Sequence, residues 1–140
     1  MATLFCIVCN AQIAGRRFRY CSKRCESKYH TAKYERINGP RLQVASATVG
    51  AINEYLVGID LLKRGLAVFR ALSPASPGDL AVLHGNKLLM VEVTTGTKTP
   101  SGSLMYPPHK KQTFDIIAIV ERSGNINYIP DLPITETASS

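Results

Sequence analysis

The segment LAVLHGNKLLMVEVTT, residues 80–95, contains two apolar runs on either side of a Gly-Asn pair. Such a pair between two apolar runs favours a β-hairpin with a two-residue turn. This turn makes His84 face Lys87, and counting outward along both strands places Asp79 directly across from Glu92. Residues that face each other in a hairpin share one face of the sheet, with Cβ atoms about 5 Å apart. The hairpin therefore predicts two neighbouring carboxylates.

A close carboxylate pair has two explanations. Two carboxylates repel each other unless one is protonated or a cation lies between them, and carboxylate oxygens are the ligands that Mg²⁺ and Mn²⁺ prefer. Alternatively, Asp79 follows Pro77-Gly78 and could cap a turn, while Glu92 could pair with a lysine. The pairing pattern alone leaves both explanations open.

The segments around the hairpin predict a mixed α/β domain. Residues 45–64 have apolar side chains at three- and four-residue steps, which is typical of an amphipathic helix that ends at Gly65; these side chains belong to Val49, Ile52, Leu56, Ile59 and Leu62. Further strands are expected at 66–72, 115–121 and 126–130. Because both hairpin strands are apolar on both faces, we expect a buried central sheet that is covered by helices.

The first 40 residues have a different character. Their cysteines follow the spacing C-x2-C-x11-C-x3-C, which is typical of structural zinc held by two close ligand pairs; they are Cys6, Cys9, Cys21 and Cys25. Ser22 is suited to cap a helix that carries the last two ligands. Gly39 and Pro40 then predict the end of this helix and a boundary between residues 1–40 and residues 41–140.

Positive charge is concentrated in the cysteine-containing part. Residues 1–40 contain eight Lys/Arg against two Asp/Glu, whereas residues 41–140 contain nine against eight. A local excess of positive charge favours an anionic polymer, most often nucleic acid. The residues that we expect to contact phosphates here are Arg16, Arg17, Arg19, Lys23, Arg24 and Lys28. The tyrosines of this part, Tyr20, Tyr29 and Tyr34, are suited equally to packing and to base stacking.

Cellular location is indicated by two negative observations. No apolar run approaches the roughly 20 residues that span a bilayer. The start, MATLFCIVC, lacks the basic region and the longer apolar core of a secretory signal. We therefore expect an intracellular protein, cytoplasmic or nucleoid-associated, in which the four cysteines are metal ligands rather than disulfide partners.

These patterns resemble two known families. The knuckle, the short hairpin expected around Gly15 and the helix that carries the last cysteines, with the string YCSKRC, together resemble a treble-clef zinc finger. Residues 48–130 resemble the PD-(D/E)XK nuclease superfamily, in the branch that contains Holliday-junction resolvases and intron-type endonucleases. Gly50 and Glu54 match the helix of that branch, SPASPGD with Asp79 matches its P-D half, and Glu92 matches its second acid.

The second resemblance implies a restriction-endonuclease-like fold and a metal-dependent site. In this family the two acids hold Mg²⁺ or Mn²⁺, the helix glutamate assists, and a lysine two residues past the second acid supplies positive charge. Here that position is Thr94. This departure leaves three possibilities. A lysine from elsewhere in the chain could supply the positive charge, with Lys98, Lys110 and Lys111 as candidates, and Lys110 and Lys111 are also candidate DNA contacts. Alternatively, Thr94 could position the attacking water, or the domain could bind DNA without cutting it.

Our functional hypothesis from the sequence is a metal-dependent DNA endonuclease with a zinc-finger DNA-binding module in front. The family relationship leaves open whether its substrate is a DNA structure such as a junction, and whether it acts as a homodimer. The main alternative is a non-catalytic DNA-binding protein that retains the nuclease fold. A third is a zinc-finger adaptor that contacts protein.

Overall fold

The computed structural model describes residues 3–108 and 113–133. The chain divides into two compact units, Met1–Arg41 and Leu42–Ser140. Its elements in chain order are α1 (Lys23–Asn38), α2 (Ser46–Lys63), β1 (Ala67–Arg70), β2 (Leu80–His84), β3 (Lys87–Lys98), β4 (Leu104–Met105), β5 (Ile116–Glu121) and β6 (Ile126–Ile129). No helix in the described part is long and apolar enough to span a membrane.

The first unit contains one helix, α1, with defined signals at both ends. The hydroxyl of the N-cap Ser22 accepts a hydrogen bond from the backbone amide of Cys25, at 3.2 Å. The helix ends at Gly39, whose φ of 83° is disfavoured for residues with a Cβ. Both ends therefore lie where the cap residues of the sequence predict them.

The segment before α1 is built from turns. Phe5 and Gln12 form an isolated antiparallel bridge, and Asn10 has a left-handed φ of 56° between them. The hairpin expected around Gly15 is limited to a turn at this glycine, without strands on either side in the described residues. Cysteine spacing and turn residues thus shape this region more than strand propensity does.

The second unit contains a six-stranded mixed sheet. The strand order is β1-β2-β3-β5-β6, with β4 paired to β3 outside this path. β3 and β5 run parallel, whereas the other neighbouring strands run antiparallel. This arrangement confirms the predicted mixed α/β class and makes β3 the central strand of the sheet.

The hairpin register agrees with the sequence over the whole length of β2. His84 pairs with Lys87, and the ladder continues to the pair of Leu80 and Val91. The two-residue turn sets this register because it allows one alignment of the flanking strands.

Helix α2 packs against the sheet with an unexpected face. Its buried residues are Asn53, Val57 and Leu61, and the last two contact the core formed by the strands. Three residues of the predicted apolar stripe are instead solvent-exposed: Leu56 by 39%, Ile59 by 49% and Leu62 by 58%. The helix is apolar on more than one side, so its periodicity predicts a helix but does not identify the face that is buried.

The stretch after the hairpin contains a strand that the sequence pattern does not predict. β3 extends to Lys98, and β4 then folds back on it, with Thr97 paired to Met105. Gly96 permits this close packing, because a Cβ at this position would lie 2.4 Å from a methyl carbon of Ile119. Thr94 and Thr95 precede this glycine in the extended strand and suit it by propensity.

Candidate functional site

The four cysteines of the first unit form a compact cluster. Their Sγ atoms all lie within 4.8 Å of one another. The separations are 3.5 Å between Cys9 and Cys21, 3.6 Å between Cys21 and Cys25, and 3.8 Å between Cys25 and Cys9. A disulfide would bring two sulfurs to about 2 Å, whereas tetrahedral zinc with Zn–S bonds of about 2.3 Å places its ligands roughly 3.8 Å apart. The cluster therefore has the dimensions of a zinc site.

Backbone amides around the first pair favour the ionised form of the ligand. Burial raises the pKa of the Cys6 thiol, but backbone hydrogen bonds from Cys21, Val8 and Cys9 outweigh it and lower this pKa from 9.0 to about 6. Zinc binds the thiolate form of cysteine. By contrast, hydrogen bonds with the thiols of Cys9 and Cys25 raise the pKa of Cys21 to about 12, so the surroundings favour ionisation at Cys6 and oppose it at Cys21.

Rings next to the cluster pack against one another. The Tyr20 and Tyr29 rings lie 5.6 Å apart, and Tyr29 meets His30 edge-on at 5.6 Å. Offset and edge-on ring pairs of this kind are favourable packing contacts. This gives Tyr20 and Tyr29 a structural role.

All six basic residues that the sequence predicts as phosphate contacts are exposed: Arg16, Arg17, Arg19, Lys23, Arg24 and Lys28. Arg17 also has an internal role, since its Nη1 donates to the carbonyl of Cys21 at 2.6 Å. The two other predicted contacts, Lys110 and Lys111, lie outside the described residues.

In the second unit, Asp79 contacts β3 on both sides of Glu92. The backbone amide of Asp79 donates to the carbonyl of Val91 at 3.1 Å, and its Oδ2 accepts from the amide of Val93 at 2.8 Å. Gly78 makes the approach possible, because a Cβ there would lie 3.1 Å from the Val91 carbonyl oxygen. The pairing of β2 with β3 ends at Leu80. Beyond this point the carboxylate of Asp79, rather than a backbone carbonyl of β2, accepts the hydrogen bond from the Val93 amide. The two predicted acids are therefore neighbours, and Asp79 also acts as a cap.

Glu92 and Thr94 lie on the sheet face opposite α2. Val91 and Val93 pack into or against the core on the α2 side, and side chains alternate along a strand. Both Glu92 and Thr94 are half-buried. Thr94 therefore shares its sheet face with Glu92, two residues along the strand.

Glu54 lies on the α2 side and forms an ion pair. Its Oε2 accepts from Nη2 of Arg70 at 2.8 Å and from Nε at 3.1 Å. The Arg70 guanidinium also lies over the Tyr55 ring, 4.9 Å from its centroid, and donates to the Tyr55 hydroxyl at 3.1 Å. Arg70 was not predicted as part of the site; its signal is a charged residue within the otherwise apolar run LAVFRAL.

The three predicted carboxylates do not form a compact metal cage. Within residues 3–108 and 113–133, the group of three or more potential ligands that lie within 4.8 Å of one another is the cysteine cluster. Glu54 is instead bound to Arg70, while Asp79, which directly precedes β2, forms hydrogen bonds to the β3 residues on either side of Glu92. The expectation that Glu54 lies close to the two acids therefore does not match the observed geometry.

Lys98 lies at the far end of β3 in a separate ion pair. Its Nζ is 3.0 Å from Oε2 of Glu121. Glu121 is only 8% exposed, and its other oxygen, Oε1, accepts a hydrogen bond from the Asn127 side chain at 2.9 Å. Six residues of strand separate Lys98 from Glu92, a distance of roughly 20 Å. Lys98 therefore does not reach the acid pair, and the expectation that it replaces the missing lysine does not match its position.

The Glu121 ion pair predicts a dependence of stability on pH. Burial raises the pKa of Glu121, but hydrogen bonds from Asn127 and Lys98 outweigh it and hold this pKa below the ordinary 4.5. A carboxylate whose pKa is lower in the folded state than in the unfolded state stabilises the fold above its unfolded pKa, and this contribution is lost as the pH falls through the folded pKa.

Glu121→Gln is therefore expected to lower the free energy of unfolding by about 1–3 kcal/mol at pH 7 and to flatten the dependence of this free energy on pH below about pH 4.5. Urea unfolding between pH 3 and pH 7, followed by the amide resonances of β5, measures both effects. An unchanged acid dependence in the variant would contradict this role.

Comparison with known proteins supports the fold of a nuclease. The chain is similar to the solved structure of a bacterial homing endonuclease, I-Ssp6803I, with a TM-score of 0.52 and 20% sequence identity. The similarity covers 60% of this chain and 64% of the homing endonuclease. No protein-family model matches the chain, and no curated protein matches it. The likeness therefore shows a shared fold between two chains of low sequence identity.

Proposed function

We propose that this protein is a metal-dependent DNA endonuclease of PD-(D/E)XK type, with a zinc-finger module that binds DNA. The observation that carries the proposal is the position of Asp79, whose two hydrogen bonds to β3 bracket Glu92. Two acids are thereby brought together in a fold similar to that of a homing endonuclease.

The donor chemistry of the acid pair suits a hard divalent cation. Asp79 and Glu92 would hold Mg²⁺ or Mn²⁺, with water and substrate oxygens completing the shell. Such an ion supplies an activated water and offsets charge at the scissile phosphate. The Val93 amide restrains the Asp79 carboxylate through its hydrogen bond, and Thr94 presents a hydroxyl on the face that it shares with Glu92. Glu54 takes no part in this proposal, because it lies on the α2 side of the sheet, opposite Glu92, and forms an ion pair with Arg70.

The first unit would supply affinity for DNA. Its four sulfurs would hold a structural zinc ion, which keeps no open position for chemistry. The exposed Arg and Lys residues around the cluster would then contact phosphates without reading sequence. We accordingly expect an intracellular protein with access to DNA. Homodimer formation stays a prediction, and light scattering would measure it.

Two observations favour a non-catalytic DNA-binding protein as the second candidate. Thr94 is uncharged, so it cannot replace the ammonium group of the family pattern. Glu54 is neutralised by Arg70 rather than directed to a metal. Both features would weaken or abolish cleavage while they leave the DNA-binding module unaffected.

Cleavage assays with matched variants separate these candidates. The zinc-loaded protein is incubated with branched, single-stranded and duplex DNA in Mg²⁺ or Mn²⁺. Asp79→Asn retains an oxygen that can accept from the Val93 amide but removes the negative charge, so it tests metal binding without removing the cap. It should lower the cleavage rate by at least about 100-fold, because loss of a direct ligand should cost more than the roughly 10- to 100-fold typical of an outer-shell partner.

A gain of function provides the opposite test. Thr94→Lys restores an ammonium group two residues after Glu92 and should raise the cleavage rate, by up to about 100-fold if the group acts like other transition-state donors. The gain should disappear in the double variant Asp79→Asn/Thr94→Lys. DNA binding without cleavage in every variant would support the second candidate, whereas no binding to any of these DNAs would contradict both and favour the adaptor.

A further inference from the structure

The first unit presents an exposed aromatic side chain among its basic residues. Phe18 lies in a bend after the Gly15 turn, and 77% of its surface is exposed. Its chain neighbours Arg17 and Arg19 are exposed as well, as is Arg16. A phenyl ring in water retains most of the roughly 1.5–3 kcal/mol that its burial would release. The segment thus combines positive charge with an apolar ring that is available for binding.

Both chain neighbours of Phe18 form hydrogen bonds to the cysteine-containing segments, one through its backbone and one through its side chain. The carbonyl of Arg19 accepts from the amide of Ile7 at 3.1 Å, and Ile7 follows Cys6 directly. On the other side, the Arg17 side chain donates to the carbonyl of Cys21. The ring is therefore presented from an anchored loop, which limits the conformational entropy that binding would cost.

Two tyrosines near the cluster have a different role, and Phe5, the residue before Cys6, is less exposed than Phe18, at 53%. Tyr20 and Tyr29 are half-buried, and both contact His30 and each other through their rings. Their faces are thus partly used in packing within the unit. Phe18 is far more exposed than either of them and is better placed to meet a ligand.

A ligand for this segment must combine negative charge with a flat apolar surface. Single-stranded nucleic acid does so, because aromatic side chains stack on successive unpaired bases while basic groups follow the phosphates. A duplex hides the faces of its bases inside the stack and offers mainly its backbone and groove edges. An anionic lipid surface also accepts basic and aromatic residues, but the nuclease-like fold of the chain favours nucleic acid.

We propose that Phe18 stacks on an unpaired base and gives the protein a preference for DNA with single-stranded or branched character. The proposal rests on the DNA-binding function proposed above and adds to it the class of DNA that the finger selects. Arg16 and Arg19 would contact the phosphates on either side of the stacked base.

Fluorescence anisotropy at several salt concentrations tests this proposal on the full-length, zinc-loaded protein. The probes are a 20-nucleotide thymine strand, a 20-base-pair duplex and a four-way junction, and phosphatidylserine vesicles serve as the lipid control. Phe18→Ala should weaken binding to the single strand by roughly 5- to 150-fold, the range for loss of one base–aromatic stack, and should change duplex binding by less than about 2-fold. Phe18→Tyr should restore the affinity, because it retains a ring.

Salt dependence distinguishes stacking from charge. Phe18→Ala removes no charge, so the slope of log affinity against log salt should stay unchanged, whereas Arg19→Ala should reduce this slope by about one phosphate contact. Zinc content and amide spectra of each variant establish that the unit remains folded.

Three outcomes would overturn the proposal. One is unchanged affinity of Phe18→Ala for the single strand, and another is an equal loss for single strand and duplex. The third is a loss confined to phosphatidylserine vesicles, which would assign the ring to a lipid surface. If the unsubstituted protein binds none of the DNA probes, the proposed DNA-binding function fails as well. Binding by the unsubstituted protein with no effect of Phe18→Ala removes the stacking inference alone.

Discussion

Removal of zinc, or the substitution Cys21→Ser, is expected to unfold the first unit and to leave the second unit folded. Within the described residues of Met1–Arg41, the buried side chains belong to Cys6 and Asn38, whereas apolar residues such as Phe5 and Ile7 are more than half exposed. A unit with so little buried apolar surface is expected to depend on the metal that its four cysteines are proposed to hold. Apparent zinc-binding free energies of about 10–16 kcal/mol in small zinc domains show how much stability the ion can supply.

The measurement combines zinc analysis with amide spectra. A 1:1 ratio of zinc to protein is expected before chelation, and the α1 resonances should collapse to unfolded positions after it. His30→Ala is the matched control, because the His30 ring packs against Tyr20 and Tyr29 and His30 is not one of the four clustered ligands; this variant should retain zinc. A metal-free protein in which α1 remains folded would contradict a structural role for the metal.

Leu61→Ala is expected to destabilise the second unit by about 2–5 kcal/mol, the usual cost of truncating a buried leucine. Leu61 is fully buried between α2 and the sheet, whereas its neighbour Leu62 is 58% exposed. Leu62→Ala makes the same chemical change one residue later in the helix and should alter the free energy of unfolding by less than about 0.5 kcal/mol. The two variants therefore compare the observed core-facing side of α2 with the stripe that the sequence pattern favours.

Urea unfolding in the presence of zinc, followed by resonances of the sheet, gives both values. Zinc is kept constant so that unfolding of the first unit does not contribute to the signal. A larger loss for Leu62→Ala than for Leu61→Ala would mean that α2 packs through the opposite face, and it would contradict the observed fold.

The hairpin illustrates what local sequence can predict. The Gly-Asn turn limits the alignment of its two strands, so the pairing of His84 with Lys87 follows from residues next to each other in the chain. The same locality explains the cap of Ser22 on α1 and the end of that helix at Gly39. Each of these features depends on backbone preferences over a few residues.

The local sequence pattern could not predict which face of α2 is buried or which residues pair with Glu54 and Lys98. Apolar residues on several sides of α2 satisfy more than one orientation, and contact with the sheet selected Val57 and Leu61. Arg70 meets Glu54 only because β1 lies against α2, and Lys98 meets Glu121 only because β3 and β5 run side by side. Such pairs are separated by 16 or more residues, and no periodicity in the sequence joins them.

Sequence reasoning thus established the mixed α/β class, the grouping of the four cysteines and the neighbourhood of Asp79 and Glu92, because turn geometry and ligand spacing are short-range properties. Long-range packing assigned Glu54 to Arg70, Lys98 to Glu121 and the carboxylate of Asp79 to the Val93 amide. These three side-chain partners depend on where β2 ends and on which strands are neighbours in the sheet. Both properties are set by the free energy of forming the whole sheet.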